Sequence, residues 1–123
     1  MSRLWRGWNI YIELHYSCYM TSSLQVLLTL GTAAKHGYAI MRDAREASGG
    51  RIVILPGTLY ATIKTLLAEK LIEEVPPPKN ADSTDARRRY YKVTKAGRAK
   101  AVAETEEMAE LVKMGRVFQK ATR

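Results

Sequence analysis

With 123 residues and a mass of 13.9 kDa, the chain has room for one domain and an appended helix. Hydrophobic residues make up 46%, which supplies a core and excludes a disordered chain. A formal charge of +8 points to an anionic partner, nucleic acid or a membrane surface, while the single Cys18 excludes an internal disulfide framework and fits a reducing compartment.

The longest apolar run, LQVLLTLGTAA from Leu24, falls short of the roughly 20 residues a bilayer crossing needs. Glu13 and His15 interrupt the stretch that follows Arg3 and Arg6, so no signal peptide is expected and the chain reads as cytoplasmic, with no membrane partner. Residues 1–20 hold both tryptophans and three of the seven tyrosines without a helix cap or a clear period. They read as an N-terminal extension: a poorly ordered one, which an upstream start ahead of Met20 would explain, or an extra helix packing on a partner subunit.

Organisation begins with TSSLQVLLTL. Ser22 with Gln25 three residues on is a capping-box pattern that starts a first helix, and Leu24, Leu27, Leu28 and Leu30 supply its buried side. His36-Gly37 reads as a short turn, followed by a second helix over Tyr38 to Ala47 that Gly49-Gly50 stops. RIVIL is a short β-prone run leading into Pro56, which opens a third helix reaching to about Glu69. Two strand-like segments, LIEEV and RRYYKV, flank the proline-led polar loop PPPKNADSTDA and make a hairpin with a long, mobile tip. Thr94 then caps a last helix with apolar positions Val102, Met108, Leu111, Val112 and Phe118. Three helices, a two-stranded wing and a long helix make a mainly α winged helix-turn-helix, with the domain at 21–94 and the last helix and tail at 95–123.

The third helix has two distinct faces. At 100° per residue, Leu59, Ile63, Leu66 and Leu67 form an apolar arc. Tyr60, Ala61, Lys64, Thr65 and Ala68 project the other way, where the alanines keep the surface low and Thr58, Tyr60 and Thr65 offer hydroxyls. B-DNA's major groove, about 12 Å wide, admits such a helix. An ordinary surface helix of middling polarity has the same pattern, and the helix alone does not separate the two readings. Charge placement does more. From Arg87 to Ala101 the chain carries Arg87, Arg88, Arg89, Lys92, Lys95, Arg98 and Lys100 and no acid, which is what phosphate contacts beside a recognition helix require.

In this order and spacing, KHGYAIMRD, LPGTLYATIKTLLAEKLIEE and RRRYYKVTKAGRA resemble the winged-helix domain of PadR-type transcriptional regulators, over about residues 22–101. The resemblance implies a homodimeric repressor that joins through its last helix, binds a palindromic operator in double-stranded DNA and is released by an effector, aromatic in some members. By motif position it implies that Tyr38, Thr58, Tyr60 and Lys64 face DNA and that Arg88 and Arg89 lie on the wing. Two positions depart from the pattern: Leu55 precedes the proline where a small capping residue is frequent, and Lys70 replaces a glycine between helix and wing. The stripe Met108, Leu111, Val112 and Phe118 wants a partner, and a two-fold pair would set two recognition helices about 34 Å apart. An effector pocket is not legible; the space between the first and last helices of a dimer, near Met108 and Val112, is the expected place.

No enzyme, metal or cofactor is expected. Two histidines and one cysteine do not compose a metal site, His36 has no nucleophile or acid at useful spacing, and Gly49-Gly50 is a helix stop, not a phosphate loop. The competing class is a winged-helix module for protein contact without DNA, which has no need of seven clustered cations.

Overall fold

A computed structural model describes residues 21–122; the expectations for the N-terminal extension lie outside the described residues. Helix α1 spans Ser22–Leu30, strand β1 Lys35–His36, α2 Gly37–Ala47, α3 Pro56–Ala68, β2 Ile72–Val75, β3 Tyr90–Val93 and α4 Lys95–Ala121, with a 3-10 turn at Asp85–Arg87. The winged helix-turn-helix with its long last helix is present, but the sheet has three antiparallel strands in the order β1-β3-β2. His36, expected to form a short turn with Gly37, instead makes a strand with Lys35; the two pair with Tyr90 and Tyr91 and extend the wing inward. β2 and β3 pair Ile72 with Val93 and Val75 with Tyr90, and the register sets Glu73 opposite Lys92.

Local chemistry explains most boundaries. The α1 cap is Thr21, one residue earlier than expected; its hydroxyl accepts from the Leu24 N–H at 3.2 Å. Gly31, at φ 57°, ends the helix. Leu28, expected to be buried, is 44% exposed, and Val26 is buried in its place, because α1 packs against both α3 and the start of α4. α2 begins at Gly37, one residue before the expected start, and stops at the paired glycines as expected: Gly50 N–H reaches the Arg45 carbonyl at 2.8 Å. RIVIL forms no strand. Its residues alternate, with Ile54 buried and Val53 and Leu55 exposed, but no neighbouring strand offers a ladder.

Leu24, Val26, Leu30, Ile40, Leu59, Leu66 and Ile72 are essentially without solvent contact and form the centre of the core, each burial contributing about 1.5–3 kcal/mol. Leu59, Ile63 and Leu66 of the expected arc are buried and Leu67 half-buried, while Thr62 joins them at 7% exposure. α3 opens without a side-chain cap, as Leu55 implied. It closes in a Schellman turn, with Lys70 N–H on the Leu67 carbonyl and Leu71 N–H on the Leu66 carbonyl. That turn puts Lys70 at φ 60°, the only non-glycine residue with positive φ among those described.

The end of α3 meets the start of α4 at a tight joint. Thr94 N–H donates to the Leu71 carbonyl at 3.0 Å, and its hydroxyl donates to the Lys70 carbonyl at 2.8 Å and accepts from Gly97 N–H at 3.1 Å. A Cβ on Gly97 would stand 2.0 Å from the Leu71 carbonyl oxygen. Because that oxygen is backbone, Gly97→Ala is expected to cost about 3 kcal/mol or more in urea unfolding. Lys70→Gly is expected to gain about 1 kcal/mol by removing the left-handed penalty; equal midpoints for both variants and the parent would contradict this account of the joint.

Candidate nucleic-acid interface

The face of α3 that points away from the core carries Thr58, Tyr60, Ala61, Lys64 and Thr65, all exposed. Its relief is low, with Gly57 and Ala61 exposing backbone. Thr65 Oγ1 donates back to the Ala61 carbonyl at 3.1 Å, which leaves the oxygen's lone pairs outward. Tyr60 is 59% exposed and its ring lies over the start of α2, where a Cβ on Gly37 would come within 3.6 Å of Tyr60 Cε1 and 3.2 Å of Leu59 Cδ2. Gly37 thus permits α2 and α3 to approach closely, and Tyr38 and Tyr60 emerge on the same side.

The wing reaches this side at its base. A concavity of about 360 Å³ is bounded by His36, Gly37 and Tyr38 at the start of α2, Tyr60 on α3, and Arg88, Arg89 and Tyr91 at the wing. Four residues expected at the interface, Tyr38, Tyr60, Arg88 and Arg89, therefore surround one space. Thr58, Ala61, Lys64 and Thr65 lie along the helix outside it, and Arg87 is exposed in the 3-10 turn.

The three consecutive arginines are not equivalent. Arg89 is 76% exposed in its side chain and rests near Glu74 Oε1 at 3.6 Å. Arg88 is held from three sides: Asp85 Oδ1 at 3.5 Å, His36 Nδ1 at 3.3 Å from its Nη1, and the Tyr38 ring, whose centroid is 5.4 Å from the guanidinium carbon. Asp82 organises the approach by accepting from Asp85 N–H at 2.8 Å, which starts the 3-10 turn.

From the sequence His36 reads only as a turn or interface residue, and Asp85 and Tyr91 are not singled out, yet all three stand at the site. His36 ends β1 and caps α2, its Nδ1 accepting from Ala39 N–H at 3.1 Å. Histidine is not among the favoured capping residues, so only its place before a glycine hinted at this. Burial, and secondarily the Arg88 guanidinium, hold the imidazole below its ordinary value, so the ring favours the neutral form. Nearby, Lys35 donates to Asp43 at 2.9 Å and to the Thr29 carbonyl at 2.8 Å, fastening β1 to α1 and α2. That hydrogen bond keeps the Asp43 carboxyl below the usual carboxylate value.

The sequence of residues 26–103 matches the model of the transcriptional regulator PadR-like family. The chain belongs to that family. As a PadR-like protein it is a DNA-binding transcriptional regulator and not an enzyme. A transcriptional regulator from Clostridium thermocellum is 27% identical and superposes with a TM-score of 0.62, over 80% of this chain and 90% of that one. A PadR family regulator from Clostridium difficile, 24% identical, shares the fold with a TM-score of 0.65 over 79% and 96% of the two chains. An uncharacterized 37.1 kDa protein of transposon TN4556 from Streptomyces fradiae is 33% identical over 100 residues, 81% of this chain; the match spans 26% of that relative. Among the described residues no group of three His, Cys, Asp or Glu side chains is placed to hold a metal ion, and no helix is long and apolar enough to cross a membrane.

The ion-pair geometry at His36 has a sign that NMR reads. Arg88→Ala removes a cation that disfavours the imidazolium, so the His36 ring is expected to titrate at higher pH than in the parent. Asp85→Asn removes a carboxylate that favours it and is expected to move the titration lower. Shifts in the same direction for both variants would contradict the assignment.

Proposed function

We propose that this PadR-like regulator acts in the cytoplasm as a homodimeric repressor on a palindromic operator and is released by a small effector, aromatic in character. The observation that carries the DNA reading is the gathering of Tyr38, Tyr60, Arg88 and Arg89 around one concavity beside the exposed, low face of α3. In this reading α3 enters the major groove, with Thr58, Ala61, Lys64 and Thr65 toward base edges and phosphates. Arg87 and Arg89 meet the flanking backbone, and Arg88 contributes from its fixed position.

The dimer reading is supported by the far part of α4. Leu111, Val112, Met114, Val117 and Phe118 are 54–68% exposed, a run of large apolar side chains that a single copy leaves in water. Met108 marks the transition, half-buried against the core of its own domain. For the effector, an apolar groove of about 210 Å³ runs between α1 and α4, bounded by Leu27, Leu28, Val93, Ala101 and Val102, with Arg98 at its rim. Met108 and Val112 do not line it, so a ligand there would sit closer to the DNA-binding domain than the sequence suggested.

Selection of genomic duplexes on the purified protein, followed by binding at several salt concentrations, tests the operator reading. Lys64→Ala is expected to weaken the selected duplex by about 1–3 kcal/mol with little effect on unrelated DNA, and Arg89→Ala to weaken all duplexes and lower the salt slope by about 1 per wing. Absence of duplex binding at low salt would leave only the protein-contact reading of the fold. Sedimentation at micromolar concentration is expected to give a dimer for the parent and a monomer for Leu111→Asp; a monomeric parent refutes the dimer.

A further inference from the structure

His36 stands where three parts of the DNA-facing side meet. It closes β1, caps α2 and touches the arm leading into β3. Its Nδ1 accepts from Ala39 N–H at 3.1 Å and lies 3.3 Å from Arg88 Nη1, a group that only donates. Both contacts require an unprotonated Nδ1, so the ring proton sits on Nε2, 3.9 Å from Asp85 Oδ1. The ring meets Tyr90 edge-on at 5.3 Å and lies alongside Tyr38 at 6.4 Å, and Arg88 covers the Tyr38 ring. One nitrogen lone pair thus serves the start of α2 and the wing arm at once.

We infer that His36 is a positioning residue for DNA binding: its neutral ring holds Arg88 and Tyr38 beside the recognition helix, and protonating it releases them and weakens binding. This rests on the DNA-binding reading above and adds a residue that itself makes no DNA contact.

The charges facing the ring are Arg88 and Asp85 from the wing arm and Arg42 and Asp43 from α2, with Tyr38 and Tyr90 as neutral neighbours. Asp43 is engaged by Lys35 at 2.9 Å and Arg42 at 3.1 Å, and Asp85 is shared with Arg88, so neither carboxylate is spare for an imidazolium. A proton on Nδ1 replaces an acceptor with a donor opposite Ala39 N–H and places a positive charge beside a guanidinium. The sign follows from linkage. The closed arrangement holds the ring below 6.5 and binds fewer protons than the open one, so it is complete above 6.5 and is lost as the pH falls through the lower folded value. DNA phosphates attract an imidazolium and pull the opposite way, but the ring is only 12% exposed and does not stand among the outward cations.

Binding of the full chain to the selected duplex, at constant ionic strength from about pH 8 to pH 5, tests the inference, with circular dichroism confirming the fold at each step. Affinity is expected to fall on acidification below 6.5, by at most about tenfold per pH unit for each titrating ring. His36→Asn supplies a side-chain oxygen for the α2 cap but cannot titrate. It is expected to bind more weakly than the parent at neutral pH, because the Arg88 contact is gone, and to show no pH dependence below 6.5. A pure capping role predicts parental affinity for this variant instead. Asp85→Asn, which leaves the ring in place, is expected to move the acid midpoint downward. Parental affinity that is constant or rises on acidification, or a His36→Asn profile that tracks the parent, overturns the inference. Failure of the parent to bind any duplex at neutral pH overturns the DNA reading with it, whereas binding indifferent to pH overturns this inference alone.

Discussion

The joining of the recognition helix, the wing and the last helix depends on one contact, the seating of the first turn of α4 on the Leu71 carbonyl. Gly97 permits it, since any side chain there would meet a backbone oxygen. Around it, Lys70 turns the chain out of α3, Thr94 binds both the Lys70 and Leu71 carbonyls, and the same hydroxyl caps α4. Four segments therefore share a few backbone groups: the end of α3, the start of β2, the end of β3 and the start of α4. This arrangement sets where the wing stands relative to the face of α3. It also explains why a lysine is tolerated at a positive φ. The penalty of about 1–2 kcal/mol for that backbone is offset by two closing hydrogen bonds and by the packing of buried Leu66 and Leu71.

Elements with local causes were legible in the sequence. α3 could be read from an apolar arc and a proline start, α4 from the Thr94 cap, and the end of α2 from paired glycines, because each depends on residues within one or two turns. Elements made by distant partners were not. Lys35 and His36 are a strand only because β3 lies beside them, while RIVIL has the β-branched residues of a strand and no edge to join. Leu28 and Val26 exchanged roles for the same reason: a nine-residue helix contacting elements on two sides has no single apolar arc to find.

The candidate site divides in the same way. The outward residues of α3 were readable from angular position, since a core-facing arc fixes its opposite. Arg87, Arg88 and Arg89 were identical in composition and spacing, and only the fold separates a tethered Arg88 from an exposed Arg89. His36 was invisible as a determinant because its function lies in a contact 52 residues away along the chain. What unites the wing side of the site is that Arg88 and Arg89 are met by His36, Tyr38 and Glu74 of other elements, so the arrangement of these cations depends on the sheet as much as on the helix that carries the small face.

α4 has 27 residues, about 40 Å at about 1.5 Å per residue, yet its buried residues, Gly97 and Ala101, lie in its first two turns. Met108 is the last of its apolar residues to rest against the core, and the turns beyond it project from the domain. A rotation of one degree about the Leu71 carbonyl displaces the tip by roughly 0.7 Å over that length. The angle at which α4 is seated on α1, near Leu28 and Val102, therefore fixes where Phe118 stands, and any difference in that angle is magnified in proportion to the length of the helix.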